Sequence, residues 1–358
     1  MPYKLNSAGK MQPYDEKGRF ARIEANIISQ DNKPLKENKE MSKITSNVIN
    51  DKYHIETTNE RLQRVKDNIN RVNKSNISNE TILDNYNCGT KEAQELVDMV
   101  LERDDFTIED GVEVSFADIW GRNCSFNKEA LALNNEYDVD GRCFYHEMGH
   151  ALDGSFQKYY NKDGMPLTIS SVAILSNGLT LGGTIRKEAI DLMINRKFEK
   201  MEKDYNNREK ELWLQNGISM EDAIKRKNEI HYKVREENKN LSNEKIDEIL
   251  YKNEEFRKIS NLENKIENQL YKEYGDLDDI RTAFGEEHLG NIKTNHDKEY
   301  WEEQRARVER EFFAECFSAK ATSPKSWKLL NKYFPNSCKA FEELIDKIKN
   351  KEIKMRWI

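Results

Sequence analysis

No CxxC pair occurs among the five cysteines (Cys88, Cys124, Cys143, Cys316, Cys338), which are odd in number and widely spaced. That argues against a disulfide framework and fits reduced thiols buried as small hydrophobes. Nor is there an apolar run of the about 18 residues needed to span a bilayer. The stretch from Met1 to Phe20 also lacks the apolar segment of a signal peptide. A cytoplasmic or particle-borne protein is the expectation. No basic block is present either: 58 Lys and Arg stand against 65 Asp and Glu, intermixed, for a net charge of -7. A nucleic-acid partner is therefore not expected.

What the 358 residues do contain is a polar balance, 37% hydrophobic and 34% charged, which implies solvated helices or arms added to a smaller core. Residues 1–55, with few apolar positions, read as a flexible N-terminal arm. Helical stripes follow at Asn59 to Val72 and at Lys91 to Leu101. Val112 to Phe116 alternates with period two, as a strand does, and a second strand is expected from Cys124 to Leu133. Asp138 or Asp140 is placed to cap a helix running to about Leu152, with Gly154 as its stop. Residues 155–184 read as irregular to β. Beyond them Ile190, Ile194, Phe198, Met201, Tyr205 and Leu212 predict one amphipathic helix. Two more are expected, from a capping box at Ser219 to Asp222 through Val234, and from Ser242 to about Tyr274. Last come helices at Glu299 to Lys320, Pro324 to Tyr333 and Ser337 to Asn350.

The helix that opens after Asp140 carries His146-Glu147-Met148-Gly149-His150. Positions i and i+4 share one helical face, so the two imidazoles can meet one cation. Glu147, beside the first histidine, is angled to reach a water there without ligating. A hydrolytic zinc site needs that set: the metal acidifies water and polarises a carbonyl, and the carboxylate moves the proton. Cys143 lies near the same face, and Asp153, one turn after His150, is a candidate to orient an imidazole N–H.

Catalytic zinc usually takes a third protein ligand. The elongated HExxHxxGxxH pattern fails, because Asp153 and Phe156 occupy its last two positions, and no Glu occurs between Ala151 and Lys187. Glu188 is the first downstream candidate. Glu311 is the stronger one: in Glu311-Phe312-Phe313-Ala314-Glu315-Cys316-Phe317 the aromatic residues anchor a helix on which Glu311 and Glu315 share a face. Buried carboxylates are costly unless paired or metal-bound. The bland alternative is surface pairing with Arg307 and Arg310.

The two motifs together, HEMGHALD at His146 to Asp153 and EFFAECF at Glu311 to Phe317, resemble the catalytic domain of anthrax lethal factor and the related Pro-Pro endopeptidases. The stretches Asp276 to Ile280 and His296 to Trp301 look like the versions found in Firmicute phage and mobile-element proteins, including head-morphogenesis proteins. The resemblance covers about 112–185 and 275–335. It implies a gluzincin site, with His146, His150 and Glu311 as zinc ligands, Glu147 as general base and Glu315 behind a ligand. The toxin-type enzymes place a tyrosine seven residues before the ligand glutamate, where this chain has Gln304. His296 or Tyr300 is then the candidate to stabilise the oxyanion.

The expected architecture is α+β: a helix-dominated zincin-like core with a small mixed sheet, the HExxH active-site helix and a charged helical insertion. The arm at 1–55 precedes the first part of the core at 56–185. The insertion occupies 186–274 and the second part of the core 275–358. The expected activity is a zinc metallopeptidase acting on a protein or peptide, which would pair with the edge near Cys124 to Leu133. The alternative is a phage structural or morphogenesis protein whose zinc only stabilises, with 186–274 docking to a particle or self-associating. Cytoplasm of a host cell or a virion is the corresponding location.

Overall fold

The computed structural model describes residues 3–5, 11–13, 58–75, 77–104, 106–110, 123–126, 141–154, 168–292, 300–301, 308–350 and 352–353. The chain divides into two units, Met1–Glu56 and Thr57–Ile358. In the first, β1 (Tyr3–Leu5) pairs antiparallel with β2 (Met11–Pro13). The rest of the expected arm lies outside the described residues.

The second unit is mostly helical. It opens with α1 (Thr58–Val72), α2 (Asn79–Asn87) and α3 (Lys91–Leu101). The stripe of α1 buries Val65, Ile69 and Val72, and α3 buries Ala93, Leu96, Val97, Val100 and Leu101. Ser78 and Thr90 cap α2 and α3 by accepting from the Thr81 and Ala93 amides. Among the described residues the unit's sheet is one parallel pair, β3 (Thr107–Asp110) with β4 (Asn123–Phe126), extended by a bridge from Asn73 to Ile108. A mixed sheet is therefore not present among them. The strand expected at 112–116 lies outside the described residues, as does the second strand beyond Phe126.

Next comes α4 (Arg142–Asp153), which carries the two histidines. Its cap is Gly141 at φ 71°, without a side-chain hydrogen bond, and not an aspartate; Asp138 and Asp140 lie outside the described residues. Gly154 does end the helix, but at φ -73° and not in the left-handed form. The run expected to be irregular or β contains α5 (Ile169–Val172) and the start of α6 (Leu181–Ile194); residues 155–167 lie outside the description.

The charged segment departs from the sequence pattern at Arg196. That residue takes a left-handed φ of 50° and separates α6 from α7 (Lys197–Gln215), so no single helix runs from Ile190 to Leu212. The break shifts the helical phase. Ile190 and Ile194 are left 55% and 73% exposed, while Phe198, Met201, Tyr205 and Leu212 stay buried. Ser219 caps α8 (Met220–Glu237) by accepting from the Asp222 amide, as the capping-box pattern predicts. The helix expected from Ser242 is two, α9 (Asn243–Lys252) and α10 (Glu254–Thr282), with Asn253 capping the second. Because α10 runs on to Thr282, the boundary expected at 274/275 falls inside a helix. Phe198, Tyr205, Trp213, Ile266 and Leu270 belong to the main core, and only the tip has its own cluster of Val234, Ile246, Leu250 and Phe256. The charged helices thus grow out of the body without forming a separate module.

The chain ends with α11 (Val308–Thr322), α12 (Pro324–Tyr333) and α13 (Pro335–Lys349), the last two opened by proline. Phe312 and Phe313 pack on Phe334 and Phe341 with ring centroids 5.8 and 5.1 Å apart. Cys316 and Cys338 are buried, Cys143 is half-buried, but Cys88 is exposed and not the small core hydrophobe expected. No described helix is long and apolar enough to cross a membrane.

Candidate metal centre

Two helices build the site. The core side of α4 consists of Phe144, Tyr145, Met148, Ala151 and Leu152, which turns His146 and His150 towards α11. Between the histidines sits Gly149, where a Cβ would lie 2.9 Å from Ala314 Cα and 3.3 Å from Phe317 Cβ. No larger residue fits without moving one helix, so the two backbones touch at this crossing. The contact brings Glu311, one turn before Ala314, beside both imidazoles.

Three donor atoms converge there. His146 Nε2 and His150 Nε2 are 3.1 Å apart, and Glu311 Oε2 lies 3.1 Å from His150 Nε2 and 3.5 Å from His146 Nε2. Two ring nitrogens at that distance need a proton or a cation between their lone pairs. Donors around a tetrahedral ion with bonds of about 2.0 Å sit about 3.3 Å apart, so the triangle fits a small cation without rearrangement.

Other side chains hold this triangle. Tyr300 donates to Glu311 Oε1 at 2.6 Å, leaving Oε2 to the histidines. Glu315 Oε1 lies 3.3 Å from His146 Nδ1, the position of a carboxylate that accepts from a ligating imidazole. Burial works against charge on His146, but Glu315, Glu311 and Glu147 outweigh it and hold the imidazole well above its ordinary value. The same negative field favours a cation at Nε2. The surface pairing considered for Glu311 and Glu315 is thereby excluded, since both are buried. Glu147 is half-buried and makes no hydrogen bond or ion pair among the described residues.

Other candidates sit elsewhere. Asp153 does not orient an imidazole: its two oxygens accept from the Ser170 amide at 2.7 Å and the Ser170 hydroxyl at 2.6 Å, fixing α5 against α4. Burial pushes its carboxyl up to about 6 against those two bonds. His150 Nδ1 is buried without a hydrogen-bond partner among the described residues. Tyr300 donates its hydroxyl to Glu311, which sets it behind that candidate ligand. His296 lies outside the described residues. Burial pushes the Cys143 thiol up to about 12, and Cys143 is not among the donors that converge at the site.

Glu188 proves to be a cap. Oε1 accepts from the Asn336 amide and side chain, both at 2.9 Å, and Oε2 from the Ser337 amide at 2.8 Å and hydroxyl at 2.6 Å. It thus closes the N-terminus of α13 from α6. Glu188→Ala is expected to cost about 2 kcal/mol, the upper end for a lost cap, and to leave cation affinity unchanged. Thermal melting and metal titration of the variant check both parts.

Sequence reasoning missed Ser170, Arg142 and Asp276 as supports of the site. Arg142 opens α4 and its guanidinium forms a buried ion pair with Asp276 of α10. The one available signal was four charged residues (Asp276, Asp278, Asp279, Arg281) within an otherwise apolar turn and a half.

Fold and site together define a mostly helical protein with a candidate cation site of two histidines and one glutamate. Compared with protein-family models, curated proteins and solved structures, the chain has no match.

Proposed function

We propose that the chain is a zinc-dependent metallopeptidase of the gluzincin type, with a zincin-like core, in which His146, His150 and Glu311 hold the metal and Glu147 is the general base. The observation that carries this is the 3.1, 3.1 and 3.5 Å triangle formed by donors from helices far apart in sequence. The resemblance of HEMGHALD and EFFAECF to the lethal-factor group supports the same reading. Bound zinc supplies a Lewis acid that polarises the scissile carbonyl and lowers the pKa of water. The protein's own residues do the rest. Glu147 takes the proton of the attacking water and delivers it to the leaving amine as the C–N bond breaks. Glu315 keeps the Nδ1 proton of His146 and Tyr300 keeps Glu311 turned towards the histidines.

In the alternative, a particle-morphogenesis protein with a stabilising zinc, Glu147 has no task. A half-buried carboxylate beside the donors, without a hydrogen-bond or ion-pair partner among the described residues, favours the enzyme. The test is hydrolysis of a peptide library by the purified chain, abolished by a chelator and restored by zinc. A folded chain that binds one zinc ion and cleaves nothing would support the stabilising role, and one that binds no zinc would sink both.

A further inference from the structure

We propose that the outer face of α8 pairs with α8 of a second copy of this chain, antiparallel across a two-fold axis at Asn228. The pairing stands apart from the metal centre and from peptidase activity.

The inner side of α8 is satisfied within the chain. Ala223 and Val234 are buried, Ile230 packs on the tip cluster and Lys227 pairs with Glu263 of α10. The opposite side is a cavity of about 650 Å³ lined by Glu221, Ile224, Lys225, Asn228, Glu229 and Tyr232. Two of these are large hydrophobics, Ile224 and Tyr232, left 46% and 68% exposed. Charged residues elsewhere on the helix have partners: Asp222 meets Ser219, Arg226 meets Glu255, Lys233 meets Glu237 and Arg235 meets Asn243. The side chains of Glu221, Lys225 and Glu229 make no ion pair or hydrogen bond among the described residues. Unmatched charge and exposed apolar surface on α8 therefore coincide on one face.

That face is complementary to itself. From Glu221 it steps by three, four, four and three residues through Ile224, Asn228 and Tyr232 to Arg235. Such steps stay on one side of a helix, and this series reads the same backwards. Two antiparallel copies therefore share one register, with Asn228 on Asn228, Ile224 on Tyr232 of the second copy and Glu221 opposite its Arg235. Lys225 and Glu229 follow one flank. In that register Lys225 of each copy stands two residues, about 3 Å along the axis, from Glu229 of the other, and the two-fold makes the pair twice. A parallel pair would set Glu221, Lys225 and Glu229 each against its own kind, so charge selects the antiparallel arrangement. Asn228 at the centre favours this register over a slipped one. One helix face buries less than the about 1,000 Å² of a lasting interface, so the dimer is reversible.

Sedimentation of the full chain over a concentration series up to about 100 µM tests this, with a monomer–dimer equilibrium expected inside that range. Lys225→Glu and Glu229→Lys are each expected to weaken the dimer at least about 10-fold, because both symmetric pairs turn from attraction to repulsion together. An equimolar mixture of the two variants is expected to recover it as a heterodimer, since each chain then carries one sign along the flank. Ile224→Asp is expected to abolish it. All three positions are exposed, so circular dichroism and melting should match the unaltered chain. A chain that stays monomeric throughout the series would overturn the proposal. So would a dimer that survives Ile224→Asp or both charge reversals, or a variant mixture that stays monomeric.

Discussion

Glu311→Ala is expected to lower zinc affinity by more than 100-fold, the upper figure for losing an outer partner of a metal ligand. The substitution removes one of three candidate protein donors, and the buried carboxylates nearest to it are already engaged. Glu315 faces His146 Nδ1, and Asp153 accepts from Ser170. Tyr300 also loses the acceptor that its hydroxyl meets at 2.6 Å. Binding competition reads the affinity directly, and thermal melting gives an independent measure. A ligand present at 100 times its Kd stabilises the native state by about 2.7 kcal/mol. Zinc should therefore raise the melting temperature of the unaltered chain and not that of the variant. Zinc binding by Glu311→Ala at full strength would remove Glu311 from the ligand set.

Glu147→Gln is expected to reduce peptide hydrolysis about 10²- to 10⁴-fold, the range for a lost general base, with zinc affinity retained. The two side chains have the same shape, but glutamine cannot take a proton from water at neutral pH. Glu147 makes no hydrogen bond or ion pair among the described residues, so the exchange breaks no such contact among them and stability should hold. Parallel rate, zinc and melting measurements separate chemistry from folding. Cleavage by Glu147→Gln at the original rate would show that another group moves the proton.

How much was legible in the sequence depends on the range of the interaction. His146 and His150 share a face by helical geometry alone, and Glu311 betrayed itself as a carboxylate among aromatic residues that must be buried. Elements fixed by their own caps, such as α8 at Ser219, were readable for the same local reason. Ile190 and Ile194 were not, because one left-handed residue, Arg196, breaks a hydrophobic pattern whose spacing looks continuous. The α2 helix escaped notice, being nine residues long with only Ile82, Asn85 and Tyr86 buried. Asp153 and Glu188 went astray because their partners, Ser170 and Asn336 with Ser337, are hydroxyl and amide groups brought in by tertiary packing. A carboxylate's sequence neighbours do not reveal which such group will arrive.

The contact between Gly149 and Ala314 works as a calliper. A smaller opening between the histidines and Glu311 is blocked by backbone, since even a Cβ at 149 would come within 2.9 Å of Ala314 Cα. A wider one would pull apart helices that also meet through Tyr145 and Phe317, with ring centroids 6.0 Å apart. The spacing of the candidate donors is thereby set by the packing of the core and not by the donors themselves.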